Sequence, residues 1–511
     1  MNLFQRNPGI SRNYLFLLLL MAVYLVLDYQ TILFLSPQGI HFIRQTDSLS
    51  FAANYFSNGF HFFQPRVFNL QSLEGKAACE FPVLYYIAAL FYQLFGEKEF
   101  ILRSITVIIA SSGYFFLFRL LHVLLKDLVY ALAFTFLFIS STVLLYYTNN
   151  FLPDASALGF TLIGWYYFYD FFQHREKRGA LLAGFLFFTL ASLLKVTYFA
   201  NPVAAVLACI VFDFSQGMGS KGSLKNNVFP FALFSLSLLF VLAWNVFVYY
   251  YNKASHDTYF LIHANPIWSL NKAERDFTWD HVSVYWYHSY YYHRTFQFFG
   301  VIIVAGTLFL RKSEKIILIP AIISAMGSLS YFLLFFAQFK AHDYYFMAII
   351  PTVVFLVING FVAVRNRFPR LTNHFIPKLV LIALCILSLK FARERLVERY
   401  TDTASDMYAV IGHQLSGTRQ YLDSIGIPGK AKFIVVTDQS PNGGLYFLNR
   451  PGWNVIDTTQ AGRTAIRNYI GQGADYILFT DKKYVDMIDA KVVRAGEDRG
   501  ILIYSISSGD E

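Results

Sequence analysis

Apolar residues run through this chain in stretches of about 20, long enough to cross a bilayer as helices. Such stretches are expected at 14–35, 101–121, 128–147, 155–172, 180–194, 199–213, 228–250, 296–310, 316–337, 346–363 and 376–391. That predicts about eleven spans with soft edges. The short alternating segments of a closed membrane barrel are not seen. One more stretch, FPVLYYIAALFYQLFG (81–96), is apolar but short, and is expected to lie partly in the membrane interface. Near residue 395 the pattern changes. KFIVVT, DYILFT and GILIYSI read as strands bounded by glycine or polar residues, with helical stretches between them. The expected fold is a polytopic α-helical membrane protein. A transmembrane domain over 1–394 precedes a small α/β domain over 395–511.

Charge gives this pattern a direction. Lys and Arg collect before the first span (Arg6, Arg12) and then after every second span. They sit around Arg119 and Lys126, in HREKR (174–178), at Lys221 and Lys225, in RKSEK (311–315), and at Arg365, Arg367 and Arg370. The positive-inside rule places those loops in the cytoplasm. The first apolar run is too long for a signal-peptide core and reads as a retained anchor. Large loops at 36–81 and 251–295, and the C-terminal domain, then fall on the extracytoplasmic side of the cytoplasmic membrane. The same distribution accounts for the net charge of +10 without a nucleic-acid partner, for which no motif speaks. Composition agrees: 14% of residues are charged, against about 25% in a soluble domain. Cys79, Cys209 and Cys385 are far apart and fit no metal spacing.

Polar residues with chemical potential gather on the extracytoplasmic side. In HFIRQTDSLSFAANYF (41–56), Asp47 is followed by Leu49, Phe51, Ala52, Tyr55 and Phe56. That spacing predicts an amphipathic helix on the membrane surface, with Asp47 near its N-terminus. A plain N-cap is the competing reading. Asp154, in TNNFLPDAS (148–156), opens the fourth span and is expected close to Asp47; it too reads equally as a cap. Arg44, Arg103, Lys195, Lys340 and His342 supply cations on the same side. Lys195 interrupts the apolar run ASLLKVTYFANP. An ionisable residue there points to function, with snorkelling to the interface as the alternative. AQFKAHDYYFM adds Asp343, Tyr344 and Tyr345, and WDHVSVYWYHSYYYHRTFQF (279–298) adds His288 and Tyr292. Aromatic faces suit sugar rings; an interfacial aromatic belt is the other reading. Carboxylates that take a proton, beside cations that hold a phosphate, suit group transfer from a lipid phosphate.

The order Asp47, FPVLYY (81–86), LFG (94–96) and Arg103 resembles the first outside loop of GT-C superfamily glycosyltransferases. It is most similar to the family-39-like branch of protein O-mannosyltransferases and lipid A aminoarabinose transferases. Asp154, Lys195, HDYY (342–345) and SPNGGLYFLNRPGW (440–453) extend the resemblance over most of the chain. It departs from the usual pattern at Ser48, where many members carry a second acid, and at Glu80-Phe81-Pro82, where many carry Lys-Pro-Pro. The resemblance implies an inverting transfer of a monosaccharide from a polyprenyl-phosphate donor to an envelope glycan, lipid or protein. It implies Asp47 as catalytic base, with Asp154 supporting and Glu80 orienting the acceptor. Lys195, Arg103, Lys340, His342 and Arg44 are its candidates for the lipid phosphate. Tyr344, Tyr345, Asp343, His288 and Tyr292 are candidates for the sugar.

No cofactor is fixed by this reading, and no metal ligands are assigned. Asp47-Ser48 alone is a poor divalent site; Asp154 with His342 would complete one only if folding assembled them. Two other functions compete. A transporter of lipid-linked sugar would favour internal repeats and spans broken at mid-membrane. A non-catalytic scaffold presenting the C-terminal domain would not need Asp47.

Overall fold

The computed structural model describes residues 8–260, 264–401, 406–488 and 491–506. Arg6, and residues 261–263 of the aromatic loop, lie outside the described residues. The chain divides into two compact units. The first comprises 1–33, 104–245 and 262–397; the second comprises 34–103, 246–261 and 398–511.

The first unit is helical. Among the described residues of the whole chain, six helices are long and apolar enough to cross a membrane. The pair Leu128–Ile139 and Thr142–Thr148, bent by 79°, makes a seventh if it is one span. Ser141 explains the break: its side chain caps the second helix by accepting from the Leu144 N–H. The other expected spans are also helices, at Pro8–Val26, Asp154–Gln173, Arg178–Leu194 and His293–Leu308. Each falls short of that length or of that hydropathy.

Small residues set how closely these helices approach. A Cβ on Gly113 would lie 2.4 Å from the Cα of Gly159, and one on Gly360 would lie 2.2 Å from the Ile302 carbonyl oxygen. In a lipid environment helices gain little from burying apolar surface, so close packing of this kind carries their association.

The second unit joins the first large loop to the C-terminal segment. Its sheet has strands β1 (Phe433–Val436), β2 (Gly452–Val455), β3 (Tyr476–Phe479), β4 (Val492–Asp498) and β5 (Ile501–Ile506). The order is β2-β1-β3-β5-β4. β1 pairs in parallel with β2 and β3, while β5 runs antiparallel to β3 and β4. The three strands expected from the sequence are present; β2 and β4 were not foreseen. β1 is buried on both faces, as the centre of a parallel segment must be. Phe433 and Val435 point into one core, Ile434 and Val436 into another.

The loop segment is built into this sheet. Phe42 and Ala53, from the helix Phe42–Ser57, pack in the same core as Phe433, Leu445 and Leu448. The backbone at 68–70 hydrogen-bonds both sides of Gly452, with Gly452 N to the Phe68 carbonyl at 3.0 Å and Leu70 N to the Gly452 carbonyl at 2.7 Å. Edge strand β2 is therefore covered. Gly452 must lack a side chain, because a Cβ there would meet the Phe433 carbonyl oxygen at 1.8 Å.

Two expectations for 41–56 are corrected. The helix begins at Phe42, so Asp47 lies in its second turn and is no cap. Nor is the helix a one-sided surface element: Phe42 and every residue from Gln45 to Tyr55 are buried. Its two flanks are covered by the C-terminal segment and by the helix Val83–Phe95. The latter is amphipathic, burying Leu84, Tyr85, Ala88 and Tyr92 while exposing Leu90, Phe91, Leu94 and Phe95.

Candidate functional site

Asp47 is 1% exposed, yet it is surrounded by hydrogen-bond donors. Tyr259 donates its hydroxyl to both carboxylate oxygens, at 2.9 and 3.0 Å. The Asn442 amide donates to Oδ1 at 3.4 Å. Arg44, one helical turn earlier, brings Nη1 to 3.6 Å from Oδ2. Helical periodicity places residues three apart on one face, which is why Arg44 and Asp47 meet.

Arg44 is fixed by Glu80. Its Nη2 lies 2.8 and 2.9 Å from the two Glu80 oxygens. Tyr85 donates a short hydrogen bond to Glu80, and its oxygen lies 3.2 Å from Ser48 Oγ. The Arg44 guanidinium also stands over the Phe260 ring at 5.4 Å. The segment before Glu80 is pinned by Asn252, which exchanges 2.8 Å hydrogen bonds with both backbone groups of Ala78.

Burial decides the electrostatics. It pushes the Asp47 carboxyl up to about 7, and Glu80 adds to the rise; Arg44, Tyr259 and Asn442 pull the other way. Burial is the largest single influence on Arg44 and acts against its charge, but Glu80, Cys79, Asp47 and Tyr85 together outweigh it and hold the guanidinium protonated. The Tyr259 hydroxyl is raised well above its usual range by burial and by Asp47, so it remains a donor. A carboxylate poised near neutrality, held by three donors, has the properties of a general base.

A second constellation forms in the first unit. Asp154 is 2% exposed and opens the helix Asp154–Gln173. Lys195, in extended backbone just after the helix Arg178–Leu194, reaches its Oδ1 at 3.3 Å. The Lys195 ammonium lies 4.7 Å from the centre of the Tyr344 ring and 5.1 Å from that of Tyr345. The His342 ring stacks beside both tyrosines, at 5.2 and 5.1 Å. Asp343 is fully buried and accepts a 2.6 Å hydrogen bond from Tyr147. Lys195 is thus a partly exposed cation held by a carboxylate and two ring faces.

Thus Arg44, Asp47 and Glu80 come together in one unit, and Asp154, Lys195, His342, Tyr344 and Tyr345 in the other. The remaining candidates stand elsewhere. Arg103 is fully buried and donates to the Leu35 carbonyl at 2.5 Å. Lys340 lies over Phe277 at 5.7 Å. Tyr292 packs on Phe391, and His288 is exposed beside Tyr287. Tyr259, Asn442, Tyr85 and Tyr147 are site residues that sequence reasoning missed. Only Tyr85 and Asn442 lay inside quoted motifs, FPVLYY and SPNGG.

These donors suit a divalent ion poorly. Asp47 is ringed by a cation, a phenol and an amide, and Glu80 is occupied by Arg44. Among the described residues no group of three His, Cys, Asp or Glu could hold a metal.

Residues 78–261 match the family described as dolichyl-phosphate-mannose-protein mannosyltransferase. Among curated protein sequences the chain has no match. Its fold is similar to that of ArnT from Cupriavidus metallidurans. In the apo state that structure shares 12% identity and a TM-score of 0.60, covering 98% of each chain. The same protein bound to undecaprenyl phosphate gives 14% identity and a TM-score of 0.60, covering 97% of this chain and 98% of that one. The Archaeoglobus fulgidus oligosaccharyltransferase in its apo form is similar at 12% identity and a TM-score of 0.54, over 94% of this chain and 70% of that one. The likeness read from FPVLYY, LFG and Arg103 is thereby found by two further routes: residues 78–261 match a mannosyltransferase family model, and the chain has the fold of ArnT and of the archaeal oligosaccharyltransferase.

Proposed function

We propose that this protein transfers a monosaccharide from a polyprenyl-phosphate donor to an acceptor of the cell envelope, with inversion at the anomeric carbon. The observation that carries the reading is Asp47: a buried carboxylate with its pKa near 7, fixed by donors, in a fold shared with glycosyltransferases. The lipid-linked donor is supported by the structural relative that binds undecaprenyl phosphate and by the lysine held among tyrosines.

In this reading an acceptor O–H or N–H loses its proton to Asp47 as its heteroatom attacks the anomeric carbon. The bond from that carbon to the phosphate oxygen breaks, and polyprenyl phosphate leaves as the anion. Lys195 stabilises the charge that gathers on the phosphate, and Asp154 holds Lys195. Glu80 acts through Arg44, which it holds in place beside Asp47. The aromatic residues Tyr344 and Tyr345 shape the donor side.

The enzyme works as a multi-pass protein of the cytoplasmic membrane, with Asp47 on its extracytoplasmic side. The test is direct: purified protein in detergent or lipid, a polyprenyl-phosphate sugar, envelope extract as acceptor, and Asp47→Asn beside the wild type. Loss of transfer in a folded variant supports the reading. Transfer at the wild-type rate sinks it and returns the lipid-linked sugar to the role of cargo.

A further inference from the structure

The C-terminal segment places one side chain on Asp47, and the loop carrying it is fastened more heavily than a simple strand-to-helix turn requires. The loop runs from Asp438 to Gly444, between β1 and the helix Gly443–Leu448. Asp438 is fully buried and accepts from four donors. Ser440 N (2.8 Å) and Ser440 Oγ (2.7 Å) reach Oδ1; Gly444 N (2.8 Å) and Asn454 Nδ2 (2.7 Å) reach Oδ2. Ser440 Oγ also accepts from Gly443 N at 2.9 Å. From the other large segment of the unit, Asn69 Nδ2 donates to the Pro441 carbonyl at 2.6 Å. Both residues flanking Asn442 are therefore tied down.

The glycines allow this closure. A Cβ on Gly443 would meet Ser440 Oγ at 2.3 Å, and one on Gly444 would meet Asp438 Oδ2 at 2.6 Å. The Asn442 side chain emerges fully buried, with Nδ2 at 3.4 Å from Asp47 Oδ1 and its own Oδ1 without a hydrogen-bond partner among the described residues. A buried acceptor left without a partner is destabilising. A residue chosen only to stabilise the turn would avoid that cost.

We propose that Asn442 is a positioning residue for Asp47, supplied by the C-terminal segment and aimed by the Asp438 loop. Its amide fixes the rotation of the carboxylate and favours the ionised form, while its neutral side chain adds no charge against that form. This rests on the assignment of Asp47 as base. Within this unit, the groups facing Asp47 are Arg44 from its own helix, Glu80 from the segment before Val83–Phe95, Tyr259 from the 246–261 segment, and Asn442. Only Arg44 and Glu80 among them carry charge at neutral pH, and neither is altered by changing Asn442.

The experiment is the pH dependence of kcat/KM for transfer from a polyprenyl-phosphate sugar, with Asn442→Leu, Asn442→Asp and Asp47→Asn compared with wild type. Asn442→Leu removes the donor and the orphaned acceptor together. It is expected to move the acidic limb to higher pH, by roughly half a unit, and to lower activity near pH 7 about twofold. Thermal stability should hold or rise. Asn442→Asp sets a second carboxyl beside the first and should move the limb by roughly a unit or more. If either variant fails to fold, Asn442→Ser replaces it, with the same direction expected. A purely structural role predicts a lowered melting temperature with the limb unmoved, and that result overturns the proposal. If Asp47→Asn is inactive while the Asn442 variants keep the wild-type limb, this inference alone falls. If Asp47→Asn remains active, the base assignment falls and this inference falls with it.

Discussion

The Tyr259 hydroxyl sits 2.9 and 3.0 Å from the two oxygens of Asp47, close to symmetrically between them. It stabilises the ionised carboxylate in a site where burial opposes ionisation. Tyr259→Phe removes that donor and nothing else of bulk. The Asp47 pKa should rise above its present value of about 7. The acidic limb of the pH–rate profile should move up with it, and transfer at pH 7 should drop roughly three- to tenfold. A Tyr259→Phe profile that superimposes on wild type would remove Tyr259 from the site.

Glu80→Gln should move the same limb the other way. Glu80 raises the Asp47 pKa by like-charge repulsion, so neutralising it lowers that pKa and extends activity to lower pH. Arg44 loses its charged, two-point partner. Because Arg44 is partly exposed, the loss is set at about 2 kcal/mol, which is roughly 4–8 °C in melting temperature for a unit of this size. Opposite limb shifts in Glu80→Gln and Tyr259→Phe would be hard to obtain from general loosening of the fold. Shifts of one sign in both would refute the electrostatic assignment.

Asp47→Asn should separate activity from stability. Loss of a general base costs about 10²- to 10⁴-fold in rate. For stability the sign follows from the raised pKa, about 7 in the folded protein against an ordinary value of 3.8. Burial favours the protonated form, so the group's contribution is fully present below pH 4 and is lost as pH rises through 7. Asparagine carries no such dependence. The variant should therefore match wild type in melting temperature near pH 4 and exceed it near pH 8.5. Differential scanning fluorimetry at the two pH values reads this. A variant less stable at both would mean that Asp47 serves the fold instead.

The helices were legible because an apolar helix writes its signal locally, in about 20 consecutive residues, although only six, or seven with the bent pair, are long and apolar enough among the described residues to cross a membrane. Asp47 was legible for the opposite reason, as a charge in an apolar chain. Its partners were not. Tyr259 lies 212 residues from Asp47 and Asn442 lies 395 away, and neither differs in type from dozens of ordinary residues. The amphipathic spacing after Asp47 was real but misread, because a helix covered on both flanks uses its polar side for a buried cluster as readily as for water. β4 escaped notice because VVRAGED is an edge strand with mostly exposed or half-buried side chains, lacking the apolar run that marked β1, β3 and β5. The two glutamate-to-arginine and aspartate-to-lysine pairings, Glu80–Arg44 and Asp154–Lys195, could not be chosen from sequence among so many cations on one side.

Lys195→Gln tests the donor end of the reaction. The ammonium is paired with Asp154 at 3.3 Å and faces two tyrosine rings. A charged hydrogen bond to phosphate is worth about 1.5–3 kcal/mol, so kcat/KM for the polyprenyl-phosphate sugar should fall roughly 10- to 100-fold. The loss should appear with the donor varied and leave the acceptor KM near wild type. Lys195→Arg keeps the charge and should recover part of the activity, though its planar fork will not reproduce the position of the ammonium between the rings. Raising ionic strength should weaken donor binding in wild type more than in Lys195→Gln. Because Asp154 is buried and loses its cation in Lys195→Gln, the double variant Lys195→Gln/Asp154→Asn is the control for folding. If the double variant is stable yet binds the donor as wild type does, Lys195 has no part in holding the phosphate.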